Sequence, residues 1–73
     1  MSKLYSSKDI EQVLLILGFY FVTQKGSHGK FKNEEEKIVI LPMNKAEIPM
    51  GTFRSILKQA AIDKNTFIRF LKK

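Results

Sequence analysis

The sequence contains no cysteine in its 73 residues, so neither a disulfide nor a thiolate metal ligand is open to it. It has one histidine, His28. A single imidazole cannot build a multi-histidine metal site, and no carboxylate stands beside it at ligand spacing. No metal and no cofactor is expected. Long apolar runs are missing as well. The longest, Val13 to Leu17, is far too short to span a bilayer. The opening stretch MSKLYSSKD has a lysine but not the apolar segment of a signal peptide. The expectation is a soluble, cytoplasmic protein with no membrane association. Repeats and low-complexity tracts are also absent, and the length fits one domain over 1–73. A chain this short buries only about 60% of its unfolded surface, so its stability is marginal. Acidic residues are few: seven Asp and Glu face thirteen Lys and Arg, for a net charge of +6. On so small a surface this gives a positive field that attracts polyanions or an acidic protein partner.

Within these bounds the chain divides into six segments. SSKDIEQVLLILG predicts a helix. Ser6 is its N-cap, Asp9 lies near its positive end, Ile10, Val13, Leu14 and Leu17 form one buried face, and Gly18 is the stop. FYFVTQK, rich in aromatic and β-branched residues, predicts a strand over 19–25. Period-two alternation places Phe19, Phe21 and Thr23 on one side and Tyr20, Val22 and Gln24 on the other. Gly26 and Ser27 make a tight turn, and 28–33 returns as a second strand. There His28, Lys30 and Lys32 share one face, while Gly29, Phe31 and Asn33 share the opposite one. NEEEK is a polar turn, and 37–42 is a third strand ended by Pro42. After a connection over 43–51, Thr52 caps a helix with Phe53, Ile56, Leu57 and Ala60 on its apolar stripe. Asp63 caps a short final helix carrying Phe67, Phe70 and Leu71. Two amphipathic helices on one face of a three-stranded antiparallel meander make an α+β two-layer domain of order α-β-β-β-α, with a short C-terminal helix. The other face of the sheet is left to solvent or a partner.

The chemistry converges on KGSHGKFK. His28 is the one side chain suited to proton transfer near neutral pH, and it shares a strand face with Lys30 and Lys32, with Lys25 just across the turn. RNA cleavage without metal needs a base for the 2′-hydroxyl, an acid for the leaving 5′-oxygen, and cations for the phosphorane. One histidine and several lysines supply one proton-transfer group and the cations, but not evidently the second proton-transfer group. On spacing alone, a catalytic His28 and a solvated histidine in a basic hairpin both remain open. Lysines act as point charges on phosphate, and Gly26 and Ser27 offer backbone N–H groups in a turn. Gly51 and Thr52, with Arg54 and Lys58, form a second place where an anion can sit, or an ordinary cap with solvated charges. Glu34, Glu35 and Glu36 are an acidic cluster that repels RNA.

Taken together, these stretches resemble the HicA family of toxin ribonucleases over nearly the whole chain. KDIEQVLLILGF is similar to the family's opening helix, and QKGSHGKFK to its Gly-Ser-His signature. IVILPMNKAEIPMGT is similar to its strand, proline-containing link and Gly-Thr helix start, and FRSILKQAAI to its second helix. The resemblance implies a double-stranded-RNA-binding-domain-like fold. It implies an mRNA interferase that cleaves RNA without metal as the toxin of a type II toxin–antitoxin system. It further implies a HicB-type antitoxin that covers the active site. The family's catalytic histidine falls on His28, with Gly26 and Ser27 before it; Lys25, Lys30 and Lys32 are then expected to hold the nucleic acid. The alternative is a non-catalytic RNA-binding module of the same fold. One departure stands out. Where many relatives carry a second histidine or a bulkier polar residue, this chain has Gly29, so no relay between adjacent histidines is available.

Overall fold

The computed structural model describes residues 3–71. Its elements are α1 (Ser7–Ile16), β1 (Tyr20–Lys25), β2 (His28–Lys32), β3 (Ile38–Pro42), α2 (Met50–Ala60) and α3 (Lys64–Leu71). The strands form an antiparallel sheet in the order β1-β2-β3. This is the α+β arrangement expected, α-β-β-β-α followed by a third helix, and it is consistent with a double-stranded-RNA-binding-domain-like fold.

Local chemistry sets both ends of α1. The Ser6 hydroxyl accepts from the Asp9 N–H at 3.0 Å, and the Asp9 carboxylate accepts from the Ser6 N–H at 3.3 Å. This reciprocal box satisfies two donors that a helix start otherwise leaves bare. At the other end Gly18 takes φ +96°. The Phe19 and Gly18 N–H groups then return to the Leu14 and Leu15 carbonyls, a Schellman closure that favours glycine at this position. Ile10, Val13 and Leu14 are buried, whereas Leu17 is only partly so.

β2 alternates as its sequence predicts. Gly29 and Phe31 are buried, while His28 is exposed and Lys30 and Lys32 are half-buried. Phe31, Val39 and Leu41 carry the helix-facing side of the sheet, each with 0% exposure. β1 departs from simple alternation. Phe19 precedes the strand and is buried. The register then runs Phe21 to Phe31 and Thr23 to Lys30, which leaves Val22 as an extra residue in a bulge. A bulge reverses strand parity. Thr23 therefore joins the face opposite Phe21, and Lys25 comes to lie opposite His28. Tyr20, Thr23 and Lys25 thus share the open face with His28, Lys30, Lys32, Ile38 and Ile40.

α2 begins earlier than the sequence indicates. Pro49, not Thr52, is the N-cap, and no side chain caps this end. Proline's fixed φ suits entry into a helix and it has no N–H to satisfy, so the helix starts without a hydroxyl cap. At the other end Ala61 adopts φ +61° and closes a Schellman pair through Lys58 and Leu57. Ala61→Gly is expected to raise stability by about 1 kcal/mol, because an L side chain is disfavoured there. For a domain of this size, that is roughly 4–8 °C in thermal midpoint. An unchanged or lower midpoint in a melting experiment would contradict this.

α3 is capped by Asp63, whose carboxylate accepts from the Thr66 N–H at 2.7 Å. That bond holds the Asp63 pKa below its ordinary value. Phe67, 1% exposed, inserts between Tyr5 and Phe53, with ring centroids 4.9 Å from each. The free edge of β3 is partly closed. The Ile40 N–H donates to the Gln59 side chain of α2 at 2.8 Å, and Pro42 has no N–H to offer.

Candidate active site

His28 opens β2, directly after a two-residue turn. Gly26 has φ +60° and Ser27 does not have positive φ, the pattern of a II′ hairpin turn with glycine at its first central position. The turn is pinned by the Gln24 amide, which donates to the Gly26 carbonyl at 3.0 Å. His28 then pairs with Lys25 on β1 and Pro42 on β3, and the Met43 N–H returns to the Ser27 carbonyl at 2.7 Å. The imidazole therefore stands at the hairpin end of the sheet, on rigid strands rather than on a loop.

A cleft of about 380 Å³ opens there, lined by Ser27, His28, Pro42, Lys45, Glu47, Ile48, Pro49 and Thr52. It joins the hairpin to the start of α2. Because no side chain caps that helix, its first N–H groups remain available to an anion at its positive end. Thr52 thus belongs to the same place as His28, a link that sequence spacing does not show; Gly51 does not line the cleft.

The lysines divide into groups. Lys25 is cross-strand from His28, and Lys30 lies two residues along the same face. Lys32 is four residues along, about 13 Å at the rise of a strand, and its ammonium pairs with Glu36 at 3.3 Å. Lys37 lies near the same turn and is held by Glu35 at 3.1 Å. The acidic turn therefore engages the cations at the far end of the sheet and leaves the hairpin end positive. None of Lys25, Lys30 and Lys32 lines the cleft itself; Lys45 does.

Lys45 and Glu47 escape sequence reasoning because they lie in a link that reads only as a connection. Their positions are set by contacts distant in sequence. The buried Ser7 hydroxyl donates to the Pro42 carbonyl at 2.6 Å and accepts from the Lys45 N–H at 3.0 Å. The Ser7 N–H donates to the Lys45 carbonyl at 2.9 Å, and the Ile48 N–H to the Tyr5 carbonyl at 2.7 Å. The segment entering α1 thereby clasps the link that forms one wall of the cleft. Ser7→Ala leaves the Lys45 N–H and the Pro42 carbonyl without their hydroxyl partner, and is expected to cost about 1–3 kcal/mol. Urea unfolding measures this; an unshifted midpoint would show that the clasp carries no stability.

Gly29 also has a physical reason. A Cβ there would lie 2.9 Å from the Met43 sulfur and 3.1 Å from its Cγ. Residue 29 points to the helix side of the sheet, away from His28, so a side chain at this position would not share the imidazole's face. Among the described residues no group of three His, Asp or Glu side chains comes together to hold a metal ion. No helix among the described residues is long and apolar enough to cross a membrane.

A family model described as the HicA toxin of bacterial toxin–antitoxin systems matches residues 7–62. No curated protein matches the chain. The matched span holds α1, the whole sheet, the clasped link and α2, and so every residue of the cleft.

Proposed function

The chain belongs to the HicA toxin family of bacterial toxin–antitoxin systems, and from this we propose that it is an endoribonuclease, an mRNA interferase that cleaves RNA without metal, with His28 as a general acid or base. The observation that carries this reading is the position of His28. It stands in a cleft with Lys45 and an uncapped helix start, at the positive end of an open sheet face. In this reading Lys25 and Lys30 hold phosphates on either side of the imidazole, and the Gly26–Ser27 turn lets the RNA backbone approach closely. Lys32 meets the RNA farther along the strand, on release from Glu36.

The test is purified protein with single-stranded RNA in EDTA, followed by fragment length. Shortened RNA is expected. A binding module of the same fold would retard RNA in a gel, less so as salt rises, and leave its length intact. If RNA stays full length at every protein concentration, the nuclease reading fails. If cleavage occurs only without EDTA, the metal-free mechanism fails.

Family membership implies a cognate antitoxin, and we propose a HicB-type protein that covers the cleft. Its physical motive is the open face, where Tyr20, Ile38 and Ile40 are 48%, 42% and 40% exposed beside the lysines. Such a face suits a partner that is apolar at its centre and acidic at its rim. Hydrogen exchange at the imidazole C2 of His28 is expected to slow in the complex, and unchanged exchange would argue against masking.

A further inference from the structure

We propose that Glu47 is the second proton-transfer group, acting across the cleft from His28, with Lys45 of the same link as the cation of the cleft. This rests on the endoribonuclease reading and deepens it. Cleavage through the 2′-hydroxyl needs two proton carriers on opposite sides of the phosphorus, and the chain has only one histidine. Residue 29 offers no substitute, since it is a glycine whose Cβ direction leads into Met43. A lysine or water could serve, but the other wall of the cleft offers a carboxylate.

That wall holds one carboxylate. Among the residues lining the cleft, His28 is the one imidazole, Glu47 the one carboxylate and Lys45 the one cation of fixed charge. Both His28 and Glu47 are exposed. The ion pairs among the described residues use Glu35 and Glu36, not Glu47 or His28, so neither group is tied up by a partner or by the other. The two are carried by different elements: His28 on β2, and Glu47 on the link clasped by Ser7 and Tyr5. An acid and a base on separate, fixed walls are placed to act on the two oxygens of one phosphodiester.

The step balances without any co-reactant. The Glu47 carboxylate takes the 2′-hydroxyl proton as the 2′-oxygen bonds to phosphorus. The P–O5′ bond breaks, and the His28 imidazolium gives its proton to the departing 5′-oxygen. The products are a 2′,3′-cyclic phosphate and a 5′-hydroxyl end. Lys45 and the first N–H groups of α2 face the charge that builds on the non-bridging oxygens.

The experiment is the pH dependence of kcat/KM for RNA cleavage in EDTA by the wild type, Glu47→Gln and Glu47→Asp. A deprotonated carboxylate acting with a protonated imidazole gives a bell-shaped profile. Glu47→Gln is expected to lower the rate about 10²–10⁴-fold and to abolish the acid limb, while Glu47→Asp keeps that limb at a reduced rate. Because Glu47 is exposed, the thermal midpoints of the variants should match the wild type. Wild-type rates in Glu47→Gln would overturn the assignment. So would a slowed Glu47→Gln that keeps the acid limb, since that limb would then belong to another group. Either result leaves the nuclease reading standing if the wild type still cleaves. A wild type that never cleaves removes both.

Discussion

Alanine at position 28 is expected to lower RNA cleavage by about 10²–10⁴-fold while leaving the fold unchanged. His28 is exposed at the end of β2, so its removal empties no cavity. Its backbone pairing with Lys25 and Pro42 does not depend on the side chain. RNA binding should weaken far less than cleavage, because the field of Lys25, Lys30 and Lys45 survives. Single-turnover cleavage and gel retardation on the same preparations separate the two effects. Equal cleavage by wild type and His28→Ala would remove the imidazole from the chemistry. Equal loss of binding and cleavage would point to an RNA-contacting role instead.

Phe67→Ala is expected to cost about 3–5 kcal/mol, the usual range for deleting a fully buried aromatic ring. A domain of this length commonly has roughly 4–11 kcal/mol in total, at 0.05–0.15 kcal/mol per residue. The variant should therefore be largely unfolded at the lower end of that range. The reason is geometric. Phe67 stacks edge-on against both Tyr5 and Phe53, so one ring ties together the segment before α1, the middle of the core and α3. Tyr5 in turn holds the Ile48 N–H through its backbone carbonyl, close to Glu47. Equilibrium unfolding in urea, followed by circular dichroism, measures the loss. If stability is retained, α3 is an appendage that the core does not need. Both Tyr5 and Phe67 lie outside the span that the family model matches, so the prediction also tests whether the folding unit is larger than that span.

Much of this was legible in the sequence, and where it was not, the reason is specific. α1 could be read because its signals are local: Ser6 and Asp9 at one end, Gly18 at the other, and an apolar stripe between them. The alternation in β2 is equally local, and it places Phe31 inward and His28 outward. β1 resisted because the bulge at Val22 is fixed by pairing with β2, and nothing in FYFVTQK marks the extra residue. The start of α2 is not legible because Thr52 is a better capping residue than Pro49, but the chain enters the helix from the clasped link before reaching it. The site was half visible. Gly-Ser-His marks itself, whereas Lys45 and Glu47 reach the cleft only through Ser7 and Tyr5, which lie far away in sequence.

The closure of β3 has a consequence for assembly. A sheet that can grow at both edges can add copies without limit. Here the outward Ile40 N–H is taken by Gln59 and Pro42 offers no donor, so strand addition is disfavoured on that side. β1 is then the one edge suited to growth. Two copies meeting β1 to β1 would bury the same surface on each and leave no edge for a third. Any association through strands should therefore stop at two, as a closed twofold pair rather than an open filament.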